Sequence, residues 1–345
     1  MDPILEDITP QDLFEFARAV PVPEEFVLTR QFIPTRTIPG IRYRHSSRTS
    51  KTSAAKFRAW DTETPRGRRV VSRLATEGEL PPLGVKFHIG EREQILLDAI
   101  RYGDDASLVD ELYDDVERAV LAVFARLELA AGDMLTDGKF NINDEDYNVE
   151  VDWQVPSDHR PTVSNFWGTA NATPLDDETG VIRLLKGKSK PAPAFAISSY
   201  ENIAELGANL QYRNEFFGTS SSTNLRTLDP SEVASVRARK GLPTLVEYDV
   251  AIDVDGTDIR PIPTNRVIYV PADSSRFAET QYGITAEVNT LVAGGQLSIE
   301  RSDESGIIVT KKVADDPISV TTRSNATAMP VMYDNEAYVS LKVRA

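Results

Sequence analysis

The stretch that decides the fold is residues 104–135, DDASLVDELYDDVERAVLAVFARLELAAGDML. Leu108, Leu112, Val116 and Val120 recur every four residues, and Val109, Ala119, Val123, Leu127, Ala130, Ala131 and Met134 fill the adjoining positions of one face. That spacing predicts one amphipathic helix over 104–135. Asp104, Asp105 and Ser107 offer capping oxygens, and Asp110, Glu111, Asp114 and Asp115 crowd the first turns, where the helix dipole favours negative charge. Thr136-Asp137-Gly138 stops it, with Gly138 free to turn left-handed. Such a helix runs about 45 Å, longer than a compact domain needs. It reads as a spine, with Val116 and Val120 expected to face a β-layer that includes Trp153.

The 345 residues leave room for about two domains, and 41% apolar content is enough for real cores. No apolar run has membrane length, and Met1-Asp2-Pro3-Ile4-Leu5-Glu6-Asp7 lacks the basic region of a signal peptide, so a cytoplasmic protein with no membrane partner is expected. The absence of cysteine excludes disulfides, thiol catalysis and Cys-ligated zinc. His45, His88 and His159 are scattered singly and read as surface or turn residues. The net charge is −15, unevenly spread: between Arg36 and Arg73 there are eleven Lys and Arg against Asp61 and Glu63, a local +9 that leaves −24 elsewhere. A cationic arm on an anionic body, with few aromatic stacking platforms, points less to nucleic acid than to an acidic surface on another copy.

Outward from the helix, residues 1–38 read as an arm with a short helix capped by Thr9, Pro10 and Asp12, then proline-punctuated extended chain. Residues 39–84 read as a projecting basic hairpin. Arg44 to Lys56 is too polar to order itself; strands are expected at 56–62 and 68–75 around Thr64-Pro65-Arg66-Gly67, and Leu80 to Gly84 as a stiff hinge. A helix is expected from Gly90 to about Tyr102, then after the spine two strands at 139–142 and 147–155. Beyond Pro161 the rhythm becomes mixed. Helices are expected after Thr173, over 199–217 with Ile203, Leu206 and Leu210 on one side, and over 230–242. Strands are expected at 194–197, 244–253, 259–263, 266–270, 306–313, 318–322 and 337–343, with a mobile loop at 218–224.

Chemistry is hard to find. Asp253-Val254-Asp255-Gly256-Thr257-Asp258 resembles half a calcium loop but lacks the distal Glu and is better explained as an Asp-Gly hairpin turn. Gly294-Gly295 and Gly187-Lys188-Ser189 are not phosphate loops, and no serine sits in a nucleophile elbow. No cofactor, metal or catalytic residue is expected. Projections that cannot fold alone imply a self-assembling protein.

The order of these parts, with the helix ending in Leu-Thr-Asp-Gly-Lys139, the strand carrying Val151-Asp152-Trp153, Asp255-Gly256 before Ile262-Pro263, Val267 to Pro271, and the closing Pro330-Val331-Met332 and Ala337 to Val343, resembles the major capsid proteins of lambda-like tailed phages. The resemblance implies an α+β chain of the Hong Kong 97 phage capsid fold: N-terminal arm 1–38, extended E-loop 39–84, P-domain 85–160 with spine helix 104–135, A-domain 161–282, P-domain return strands 283–326, and a C-terminal A-domain strand 327–345. It implies a structural protein, not an enzyme. Its hexamers and pentamers would form an icosahedral head around double-stranded DNA without reading its sequence, with scaffold, portal and decoration proteins as partners, assembled in a host cytoplasm. An encapsulin-like nanocompartment shares the fold; an unrecognised hydrolase or carbohydrate-binding protein is the reading from another class. Candidate contacts between subunits are Arg58, Arg66, Arg68 and Arg69 against Asp110, Glu111, Asp114 and Asp115, with Phe57 and Trp60 as apolar support.

Overall fold

The computed structural model of the protein describes residues 8–49, 72–92, 106–144, 147–218, 226–299 and 305–345. Helix α1, Pro10–Ala19, is opened by a reciprocal cap: the Asp12 N–H donates to the Thr9 hydroxyl and the Thr9 N–H to Asp12 at 2.9 Å. The long helix α2 spans Ala106–Asp137 over 32 residues. It ends where expected, with Gly138 at φ 67° donating to the Met134 carbonyl at 3.0 Å. A side chain at Gly138 would also meet Val155 at 2.4 Å, so glycine is required there twice over.

The two halves of α2 face different cores. Val116, Val120, Val123 and Leu127 pack with Leu13 and Ala17 of α1, with Val20 just after it, and with Val309, Val320 and Ala328. Ala130, Ala131, Met134 and Leu135 pack with Phe140, Trp153, Ile268 and Tyr338. The expectation that Val116 and Val120 face Trp153 is therefore corrected: Val120 lies about 20 Å along the axis from Met134, and Trp153 belongs to the far end.

The α1-side core rests on a five-stranded sheet of β1 (Thr35–Thr37), β4 (Pro82–Gly90), β12 (Ala278–Tyr282), β13 (Ile308–Asp315) and β14 (Ile318–Met332). Strand β14 is its axis: the first half is paired on both sides, with β13 and β4, and the second half pairs with β12. Leu80 to Gly84 is thus no hinge but the entry to β4, with Pro82 at the first strand position. The reading of β14 stopped at Thr322 because its inward residues include Thr322 and Ser324, both buried, which hide the alternation. They are small for a reason: the Ser324 hydroxyl donates to the Ala119 carbonyl of α2 at 3.0 Å, bringing helix and sheet close together.

The second unit is a four-stranded sheet in the order β15 (Val339–Lys342), β11 (Arg266–Val270), β7 (Phe195–Ser198), β8 (Thr244–Glu247), with only β7 and β8 parallel. Helices α3 (Pro174–Gly187), α4 (Tyr200–Ala208), α5 (Leu210–Phe217) and α6 (Pro230–Lys240) contribute to its core. The single helix expected over 199–217 is two. Asn209, at ψ 140°, ends α4 and caps α5 by accepting from the Gln211 N–H at 2.8 Å, and Leu210 is 42% exposed rather than packed. The strand expected over 244–253 also divides, its end forming β9 (Ile252–Val254), which pairs with β10 (Thr257–Ile259). Asp255 at φ 53° and Gly256 at φ 81° make the hairpin turn between them. His159 is a further correction: it is fully buried, with Nδ1 2.6 Å from the Tyr338 carbonyl.

Two further hairpins are β2 (Arg42–Thr49) with β3 (Ser72–Glu79), and β5 (Lys139–Asp144) with β6 (Tyr147–Asp152). Strands at 56–62 and 68–71, most of the 90–102 helix and the 218–224 loop lie outside the described residues. No helix among those described is long and apolar enough to cross a membrane.

Candidate assembly surfaces

The root of the β2–β3 hairpin is fixed to the core through one side chain. Eight residue pairs run from Arg42↔Glu79 to Thr49↔Ser72, a ribbon of about 26 Å at 3.3 Å per residue. Tyr43 anchors it, 4% exposed, with its ring centroid 6.0 Å from that of Trp153, and burial raises its hydroxyl pKa. Its cross-strand neighbour is Gly78, where a Cβ would meet the Tyr43 ring at 2.4–2.6 Å. Gly78→Val should therefore expel Tyr43 and unseat the hairpin. We expect a stability loss of about 1–3 kcal/mol and increased protease cleavage between residues 42 and 79; an intact hairpin under limited proteolysis would contradict this.

A buried acid fastens the N-terminal segment. Glu128 of α2 has no exposed surface and accepts from the Leu28 N–H at 2.9 Å, the Thr29 N–H at 2.9 Å, the Thr29 hydroxyl at 2.7 Å and the Tyr248 hydroxyl at 2.8 Å. The π-helical turn Leu28–Phe32 is thereby held to the spine, and the loop after β8 with it. Burial raises the Glu128 pKa above 4.5, against the lowering by its Thr29, Leu28 and Tyr248 donors. The folded state then binds this proton more tightly than the unfolded one. The stability it contributes is fullest below 4.5 and is lost as pH rises through the raised value. Glu128→Gln should flatten the dependence of Tm on pH in that window, and parallel wild-type and variant curves would contradict the assignment. Sequence reading missed Glu128 because a glutamate on a helix is usually solvated; its signal is the apolar run around it, Leu127, Leu129, Ala130 and Ala131.

In the second unit Glu178 and Arg237 form a buried ion pair, 0% and 2% exposed at the side chain and 2.5 Å apart. Tyr212 and Tyr269 donate to Glu178 at 2.7 and 2.9 Å, and Arg237 donates to the Pro243 carbonyl through Nε and Nη2. Burial alone would lower the Arg237 pKa; Glu178 and the two tyrosines outweigh it and hold the guanidinium charged. Glu178 lies in the opening turns of α3 beside Asp176 and Asp177, where an acid is ordinarily solvated. Among the described residues no group of three or more His, Cys, Asp or Glu could hold a metal.

Of the contact residues expected from sequence, Phe57, Arg58, Trp60, Arg66, Arg68 and Arg69 lie outside the described residues. Asp110 and Glu111 fall on α2, and Asp114 is exposed there. Asp115 is not available as an exposed docking carboxylate: it is 6% exposed and lies 3.6 Å from Arg118, one helical turn on.

The chain matches the family model described as phage major capsid protein E over residues 9–343. It is similar to the crystal structure of a protein called the putative capsid protein of a prophage of E. coli CFT073, with 15% identity, a TM-score of 0.66, and 97% of this chain and 99% of the other covered. A phage-related protein from Bordetella bronchiseptica RB50 aligns at 12% identity and a TM-score of 0.56, over 99% and 96% of the two chains. The capsid of Myoviridae phage XM1 aligns at 11% identity and a TM-score of 0.51, over 99% and 98%. No curated protein matches the chain.

Proposed function

This chain belongs to the phage major capsid protein E family, and we propose that its copies close as hexamers and pentamers into an icosahedral head around phage double-stranded DNA. It is a structural capsid protein of the virion that assembles with copies of itself, and the family match over residues 9–343 carries that reading. The finer picture adds assembly in the host cytoplasm with scaffold, portal and decoration proteins as partners. A net charge of −15 suits a shell that must enclose DNA without adsorbing it.

The division we propose is an arm at 1–38, an E-loop at 39–84, a P-domain at 85–160 with the spine, an A-domain at 161–282, return strands at 283–326 and a closing A-domain strand at 327–345. In support, β7, β8, β11 and β15 share one sheet while β4, β13 and most of β14 share the other. Strand β12 joins the second of these sheets, so residues 278–282 pack with the P-domain strands.

The E-loop arginines Arg58, Arg66, Arg68 and Arg69 are proposed to dock on Asp110, Glu111 and Asp114 of a neighbouring copy, with Phe57 and Trp60 beneath. Each exposed pair contributes about 0–1 kcal/mol, but a closed lattice repeats the contact at every subunit. Replacing Arg66, Arg68 and Arg69 together by Glu should leave Tm nearly unchanged and abolish or delay particle formation in sedimentation. High salt should impose part of the same defect on wild type. Normal particles from the triple variant would mean that the apolar flank holds the loop instead.

A further inference from the structure

The sheet formed by β4, β14 and β13 has one face against the spine, through Leu83, Ile89, Val320 and Ser324. On its other face Lys86, His88, Lys312 and Arg323 are exposed. Lys86 stands directly across from Arg323 in the β4–β14 register. Among the described residues Lys86 and Lys312 have no ion-pair partner, and Arg323 reaches Thr310 at 3.0 Å and Glu287 at 3.8 Å. Like charges directly opposite on a sheet repel.

The mirror case is the β9–β10 hairpin. Ile252 is buried against Phe26 and Leu129, so the other face of the hairpin points outward. Asp253 and Asp258 are cross-strand partners on that face, both exposed, and neither has an ion-pair partner among the described residues. The nearby Arg260 is taken by Asp249 at 2.6 Å.

Two bases side by side on one surface and two acids side by side on another share the cross-strand spacing of about 5 Å. The acids have no ion-pair partner among the described residues, and the bases are offset only through Arg323, whose partner Glu287 lies at 3.8 Å. They do not meet within the chain. We propose that the Asp253–Asp258 face of one copy docks on the Lys86–Arg323 face of a second copy, each pair neutralising the other. This rests on the self-assembly reading above and assigns it a contact that the E-loop does not supply.

Charge reversal tests it. Asp253→Lys with Asp258→Lys, or Lys86→Glu with Arg323→Glu, should each lower the sedimenting assembled fraction at least tenfold, and an equal mixture of the two variants should recover much of it. Undiminished assembly in both variants would overturn the contact. Because the chain has no cysteine, chains carrying Asp258→Cys and chains carrying Lys86→Cys can also be mixed with a short bismaleimide, without background. A crosslinked dimer should appear in the mixture and not in either chain alone; its absence overturns the contact even where a reversal variant misfolds. Wild-type shells without the crosslink would remove the contact and leave the capsid reading, whereas the crosslink without wild-type shells would do the reverse.

Discussion

Arg237→Ala should destabilise the second unit by about 3–5 kcal/mol, a large share of the total for a domain of this size. Removing the guanidinium leaves the Glu178 carboxylate, with no exposed surface, facing only the Tyr212 and Tyr269 hydroxyls. The Pro243 carbonyl also loses both its Arg237 donors. Replacing the pair together, Glu178→Leu with Arg237→Met, removes the stranded charge and should recover most of the loss. Urea unfolding of the three proteins measures this. An Arg237→Ala midpoint equal to wild type, or a double variant no better than the single, would show that the pair is not electrostatically coupled.

Val120→Asp should be as damaging, roughly 3–5 kcal/mol, because Val120 has no exposed surface and its neighbours are the aliphatic side chains of α1 and the sheet. Nothing among Leu13, Ala17, Val309 and Val320 can solvate a carboxylate. Insoluble or unfolded subunit is expected, while Val120→Ala should remain folded with a smaller loss. A soluble Val120→Asp protein that assembles normally would mean that this helical face is not a core.

How much of this could be read from the chain depends on whether the physics was local. The long helix, the Thr9–Asp12 cap, the Gly138 stop and the Asp255-Gly256 turn each follow from residues within a few positions of one another, and they appear where expected, the helix within two residues at its C-terminal end. Pairing across the chain was not legible. Leu80 to Gly84 reads as a hinge because Pro81 and Pro82 speak louder than the alternation of Leu83, Val85, Phe87 and Ile89, which becomes a strand only once β14 is beside it. The Asn209 break had a signal, since Asn favours caps over helix interiors, but the apolar spacing across it outweighed that signal. The buried acids Glu128 and Glu178 were invisible for another reason: a single sequence does not show that Tyr248 and Thr29, or Arg237, will arrive beside them. Among the expected contacts, Asp115 is 6% exposed while Asp114 beside it is exposed, a difference that needs the position of the sheet beside the helix to be seen.

The central claim is that this chain builds a closed shell from copies of itself. Electron microscopy of the purified wild-type protein in negative stain, across a range of protein and salt concentrations, tests it most directly. Closed, hollow particles of uniform size that dissociate as salt rises are expected. Monomers or small oligomers under every condition would contradict it.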